Sequence, residues 1–333
     1  MNITETLNQL FQELESKDEF SGVVLITKGD AELYSGAFGY ASRAWKIGNN
    51  LDIRFDTASI TKLFTTAAIL QLIDKKILTF ETSAIEYLGL EGTKISKEVN
   101  VFHLLTHTSG LTYHWLEYGH VEEMYRERRV ESLKPLSDFV TGLLELPLAF
   151  QPGAAWRYSF AHDVVAHLIE ILSSRPLDVY LEESLFEPLG MVDTGFYVPE
   201  GKLDRFASMY GSVEIGRSDT TATKWYEDAE AGINRRLAGP EDSLQSRRHN
   251  VLRGGTGLVS TASDYWRFCQ MLLNNGELEG KRFLGRKTIE LMTTNHLPPD
   301  LLPFEVGGTY SPGSGYGLGV DVLMDVGQCQ SLG

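Results

Sequence analysis

Ser59 and Lys62 stand one helical turn apart at the mouth of a long apolar segment, Ser59-Ile60-Thr61-Lys62. A serine hydroxyl is a weak nucleophile at neutral pH and needs a base beside it. On a helix, residues i and i+3 share a face. The pair therefore offers a nucleophile and its base on one rigid element, without a histidine. Alone the tetrapeptide is a weak signal, since about one is expected by chance in a chain of this size. A capping serine followed by a solvated lysine would read the same way. The setting separates the two readings. Residues 60–76 carry Ile60, Leu63, Phe64, Ala67, Ala68, Ile69, Leu70 and Leu72 all round the axis, the pattern of a helix buried on most sides. A lysine at the first turn of such a helix needs a partner or a purpose.

The elements around this pair follow from pattern. Residues 1–20 have Leu7, Leu10, Phe11 and Leu14 on one face of an amphipathic helix. The β-prone runs 22–27 and 31–36, joined by Lys28-Gly29-Asp30, predict a hairpin. From 86 to 247 the chain is helical and loop-rich. Strand-like, glycine-rich sequence returns at 252–257, helices are expected at about 262–274 and 285–293, and 316–324 has the pattern of a core strand. The expected architecture is α/β of the α+β type. Residues 1–85 and 248–333 form one discontinuous domain and 86–247 a helical insertion, with a cleft between them as the natural place for a site.

Composition narrows the partners. The 333 residues are 42% hydrophobic and 23% charged, ordinary for a globular protein, and the net charge is −15. An acidic surface repels nucleic acid and anionic membranes, so neither is an expected partner, while the charge is neutral evidence about small substrates. Cys269 and Cys329 are too few for a disulfide framework and lack metal-ligand spacing. The N-terminus has no basic start followed by an apolar run, and no apolar stretch reaches 18 residues. The expectation is a cytoplasmic protein with no transmembrane segment. His103 and His107 share the i, i+4 spacing of metal ligands, with His114 and His120 nearby. No Glu completes a His-Glu-x-x-His pattern, and 106–110 reads as a helix end and turn. Neither a Gly-x-Ser-x-Gly elbow nor a P-loop is present, since the glycine-rich stretch 313–319 lacks the Lys-Ser/Thr of one. No metal and no cofactor is expected.

A second chemical residue, Tyr158, follows a Pro-Gly turn in Phe150-Gln-Pro-Gly-Ala-Ala-Trp-Arg-Tyr-Ser-Phe160. Taken by itself it would be a structural tyrosine at a helix start. With Ser59-Ile-Thr-Lys62 after a hairpin, it resembles the serine β-lactamase and penicillin-binding-protein superfamily. Phe55-Asp-Thr-Ala-Ser-Ile-Thr-Lys-Leu-Phe64, His103-Leu-Leu-Thr-His-Thr-Ser-Gly-Leu111, Phe186-Glu-Pro-Leu-Gly-Met191 and Gly254-Gly-Thr-Gly-Leu-Val-Ser-Thr-Ala262 all look like its class C-like branch. The nearest likeness is to the family VIII carboxylesterases and related β-lactamase-like hydrolases, over nearly the whole chain. The resemblance implies a β-lactamase/transpeptidase-like fold, an antiparallel sheet flanked by helices. It implies Ser59 as the nucleophile that forms an acyl-enzyme, with its backbone N–H as half of an oxyanion hole. Lys62 would hold the proton near Ser59, and Tyr158 would relay it between serine, leaving group and water. Which of Lys62 and Tyr158 is the resting base stays open.

Two departures from the family pattern bear on function. The tyrosine motif of class C β-lactamases and D-peptidases is Tyr-x-Asn, whose amide holds an amide-bearing substrate, whereas position 160 here is Phe. An apolar ring suits an acyl or alkyl group and shifts the expected chemistry from amides to small or short-chain esters. Tyr113 and His114, after the 106–110 turn, are further candidates for the substrate pocket, together with Phe160. The third family motif, Lys-Thr-Gly, His-x-Gly or Trp-Gly-Gly on a late strand, is not found after 316–324. The chain is therefore expected to be C-terminally incomplete, with an unpaired sheet edge. The alternatives are a β-lactamase or D-amino-acid peptidase, an acyltransferase with the same machinery, and a non-catalytic relative that keeps the fold.

Overall fold

The computed structural model describes residues 3–88, 98–116, 118–130, 132, 134–210 and 236–329. Residues 89–97 and 211–235 of the stretch expected to be helical and loop-rich, and the final residues 330–333, lie outside this range.

Helix α1 (Ile3–Ser16) docks through its apolar face on the hairpin of β1 (Gly22–Lys28) and β2 (Ala31–Phe38). Phe11 is the anchor, with ring centroids 5.1 Å from Phe20, 5.3 Å from Phe38 and 6.2 Å from Tyr34. The hairpin turns at Gly29, whose φ of 58° suits a residue without a Cβ. It pairs antiparallel from Gly22↔Phe38 to Lys28↔Ala31, with one irregularity at Ile26/Thr27.

Strand β3 (Phe55–Asp56) leads through a 3-10 turn, Ala58–Ile60, into helix α2 (Thr61–Asp74). As its sequence requires, α2 is buried nearly all round, from Thr61 and Lys62 to Leu72. Downstream come α3 (Val101–Leu105), α4 (Leu136–Leu144) and α5 (Ala161–Ser173). Helix α5 packs against α2, α3 and α4. One apolar core runs from Phe64, Ile69 and Leu70 through Leu104, Phe139, Val165 and Leu168 to Phe268, Met292 and Leu318. Strand β4 (Val259–Ser260) then pairs antiparallel with β3, Phe55↔Ser260 and Asp56↔Val259, and draws the late chain to the turn that carries Ser59. Helix α6 (Ala262–Leu273) starts at Thr261, whose hydroxyl accepts from Asp264 N–H at 3.1 Å. Helix α7 (Arg286–Met292) follows.

Two expectations are corrected. The run 316–324 is not one strand. Strands β5 (Ser314–Tyr316) and β6 (Asp321–Leu323) form an antiparallel hairpin, with Gly319 at φ 72° in the turn and Gly317 N–H on Val320 O at 2.8 Å. Alternation predicts extended backbone, but the two glycines let it fold back. Residues 252–257 are loop, and the strand begins only at Val259. The antiparallel pairing is thus distributed over two-stranded ladders among the helices. Among the described residues no helix is long and apolar enough to cross a membrane.

Candidate active site

Ser59 occupies the middle of the 3-10 turn between β3 and α2. Ala58 before it has φ 43°, a left-handed conformation that costs a residue with a Cβ about 1–2 kcal/mol. Asp56 Oδ1 accepts from Ala58 N–H at 2.8 Å, and Thr57 O accepts from Ile60 N–H at 3.0 Å, which together hold the strained turn. The turn leaves Ser59 exposed and buries Lys62, whose residual exposure is 3%.

Lys62 Nζ lies 3.2 Å from Ser59 Oγ and donates to Gly255 O at 2.9 Å. It also sits 4.5 Å from the centroid of the Tyr158 ring and 5.5 Å from that of Tyr113, near enough for cation–π attraction. Tyr158 meets it with the ring face. That ring is caged by His107 at 5.0 Å, Tyr113 at 5.2 Å, and Trp115 and Trp156 at 6.5 Å each. The backbone beside it is tied down by Arg157 N–H on His107 O at 2.9 Å.

A buried polar layer supports these residues. His107 has φ 57° just beyond the end of α3, and its Nδ1 lies 3.0 Å from Ser159 Oγ. His162 Nε2 pairs with Thr66 Oγ1 of α2 at 3.1 Å. Burial pushes both imidazoles well below the ordinary histidine range. The positive charge of Lys62 adds to this for both, and His162 adds to it for His107, so both rings are neutral. Burial, reinforced by neighbouring Tyr158, likewise pushes the phenols of Tyr113 and Tyr316 well above their usual value. Asp163, 2% exposed on the first turn of α5, accepts from Gly254 N–H at 3.0 Å and Gly255 N–H at 3.3 Å. Burial raises its carboxyl, while Arg253, Lys62 and the two glycine N–H groups oppose the rise.

Ser59, Lys62, Tyr158 and Tyr113 therefore converge, with Lys62 as their common neighbour. Phe160 and His114 lie one layer back. Phe160, 8% exposed, packs at 4.3 Å from Tyr113, 5.2 Å from Phe139 and 6.0 Å from His114. His114 is buried beside it, and its carbonyl accepts from Arg126 Nη1 at 2.7 Å. His103 does not join His107. It closes a capping box with Asn100 at the start of α3.

The Beta-lactamase family model matches residues 7–327. The chain belongs to that family. Within the Beta-lactamase family it is similar to Protein Rv1367c of Mycobacterium tuberculosis, 29% identical over 326 residues that cover 93% of this chain and 76% of that protein. Esterase EstB of Burkholderia gladioli is 31% identical over 219 residues, which are 63% of this chain and 55% of EstB. Penicillin-binding proteins are also among the relatives. The solved structure of EstCE1, a hydrolase with promiscuous acyltransferase activity, superposes with a TM-score of 0.79 at 24% identity, covering 98% of this chain and 84% of that one. The fold is thus β-lactamase/transpeptidase-like, in a superfamily of serine hydrolases that includes esterases and penicillin-binding proteins.

Helix spacing brings out Ser59 and Lys62 and the family resemblance brings out Tyr158, but neither reaches the layer beneath them. The sequence marks His107 only through its i, i+4 spacing from His103, and it singles out neither Asp163 nor His162. The usable trace was Gly254-Gly255, since paired glycines far from any hairpin mark a place where another group approaches the backbone closely.

Proposed function

We propose that this chain is a serine hydrolase that cleaves small or short-chain carboxylic esters through an acyl-enzyme on Ser59. The observation that supports this most directly is Lys62 Nζ at 3.2 Å from Ser59 Oγ while anchored on Gly255 O. That is the reach a base needs to take the serine proton. Ser59 Oγ attacks the ester carbonyl, and its proton passes to the Lys62–Tyr158 pair. The tetrahedral oxyanion is held in part by the Ser59 backbone N–H. Collapse expels the alcohol, which takes the proton from that pair. Water then enters by the same route, releases the carboxylic acid and restores Ser59. No cofactor takes part. Phe160 in place of an amide-bearing residue favours ester over β-lactam or D-peptide substrates.

Intact-protein mass spectrometry after exposure to a fluorophosphonate tests the nucleophile, and release of p-nitrophenol from p-nitrophenyl butyrate tests the reaction. One adduct mapped to Ser59, with ester turnover lost in Ser59→Ala, is the expected result. A folded protein that takes no adduct would overturn the assignment. Preferential turnover of a β-lactam would replace ester with amide chemistry.

A further inference from the structure

We propose that Asp163 is a positioning residue for Lys62, acting through the Gly255 peptide and through its own charge. The proposal rests on the Ser59–Lys62 reading above and adds a component that touches neither substrate nor nucleophile.

The connection is built from short contacts. The peptide joining Gly254 to Gly255 is rigid and planar, and it is pinned at both edges. Its carbonyl, Gly254 O, accepts from Thr65 Oγ1 of α2 at 2.8 Å. Its N–H, on Gly255, donates to Asp163 Oδ1 at 3.3 Å, and the preceding N–H of Gly254 donates to the same oxygen at 3.0 Å. The next carbonyl, Gly255 O, is the one that receives Lys62 Nζ at 2.9 Å. Asp163 therefore sets where that carbonyl points, and the carbonyl sets where the Lys62 nitrogen rests beside Ser59.

The other carboxylate oxygen faces the same small space. A Cβ built on Gly255 would lie 3.1 Å from Asp163 Oδ2, 3.2 Å from the Tyr113 hydroxyl and 3.4 Å from Lys62 Nζ. A methyl group there would be tight, and these side chains would have to give by a few tenths of an ångström. A carboxylate is expensive to bury, and its second oxygen is not needed to hold the loop. Arg253 balances part of the charge, but its guanidinium is committed to Lys134 O, Leu252 O and Ser132 O and lies 4.2 Å over the Phe139 ring.

The groups around Lys62 come from four directions. Ser59 stands on its own approach turn, and Tyr113 comes from the segment after α3, with His107 behind it. Tyr158, His162 and Asp163 come from α5 and its approach. Arg253 and Tyr316 come from the late chain. The two imidazoles are neutral and Tyr113 and Tyr316 stay protonated, so Asp163 is the negative charge in this set. Asp163 and Lys62 attract across this space, and removing the carboxylate removes that attraction.

The test is the pH dependence of Ser59 acylation by a fluorophosphonate in the full chain, for the native protein, Asp163→Asn and Asp163→Ala. Folding is checked by circular dichroism and thermal melting. Asp163→Asn keeps an acceptor for both glycine N–H groups and loses the charge. Its acylation midpoint should move toward acid by roughly one pH unit, with the plateau rate reduced only a few-fold. Asp163→Ala loses both functions. Its plateau should fall about tenfold or more, with KM for p-nitrophenyl butyrate within about twofold of native. A folded Asp163→Asn with the native midpoint overturns the proposal, and that variant decides alone if Asp163→Ala does not fold. If the native chain takes no label, the Ser59 reading fails and this one with it. A labelled native chain beside an unshifted Asp163→Asn overturns this proposal only.

Discussion

Gly255 and Lys62 meet through a single hydrogen bond of 2.9 Å from the lysine nitrogen to the glycine carbonyl. Through it the loop before β4 governs a side chain on the first turn of α2. The relationship yields a contrast between two adjacent glycines. Gly255→Ala would push its methyl group toward Lys62 Nζ, Tyr113 and Asp163, all side-chain atoms at 3.1–3.4 Å that can give a little. It should fold and lose about tenfold in kcat. Gly254→Ala would drive its methyl group into the His162 carbonyl and Ala166 Cβ of α5, neither of which can swing aside. It should lose stability by several kcal/mol. Thermal melts beside p-nitrophenyl butyrate kinetics separate the two, and equal melting temperatures would refute the contrast.

Tyr158→Phe should depress kcat by about 10²–10³ while KM changes little, since only the phenolic hydroxyl is removed and the ring stays in its aromatic cage. Steady-state kinetics on p-nitrophenyl butyrate checks this. A native kcat would remove Tyr158 from the proton path.

Phe160→Asn should raise β-lactam turnover relative to ester turnover. Because Phe160 packs against Tyr113, Phe139 and His114, the same change should cost about 3–5 kcal/mol of stability. The ratio of the two activities in one sample is independent of the folded fraction and is the quantity to measure. An unchanged ratio would mean that position 160 does not select the substrate.

Asp193 anchors the turn region from the far side. Burial alone would raise its carboxyl. Hydrogen bonds from Arg205 and Lys202, and the charge and hydrogen bond of buried Arg54, outweigh burial and hold it at about 2. A folded-state value below the unfolded one of 3.8 gives stability that is fully present above the unfolded value. It is lost as pH falls from about 4 through about 2. Asp193→Asn should lower the neutral-pH melting temperature and flatten its fall over that acid window. An equal acid slope in both proteins would remove Asp193 from the account.

What could be read in advance divides along physical lines. Helix α2 and the β1–β2 hairpin were legible because their signals are local: apolar residues all round an axis, and alternation broken by Lys28-Gly29-Asp30. Ser59 and Lys62 shared a face by helix geometry alone. The β5–β6 hairpin was hidden because Gly317 and Gly319 sit inside an alternating run, and alternation cannot tell an extended strand from one that doubles back at glycine. Asp163 was invisible for a different reason. Its role depends on contact with Gly254 and Gly255, 91 and 92 residues away, and no local pattern encodes such a meeting.

The β3–β4 pairing has a consequence for when this chain becomes competent. Thr57 hydrogen-bonds Leu258, 201 residues later in sequence, on the segment that carries Gly255 to Lys62. Closing so long a loop is entropically costly and comes late in folding. During synthesis, Ser59 and Lys62 leave the ribosome long before the residues that complete their surroundings exist. A nascent chain halted ahead of Gly255 would carry the nucleophile with its lysine unanchored, and the reactive centre would arm only after the segment around Gly255 and Leu258 has emerged.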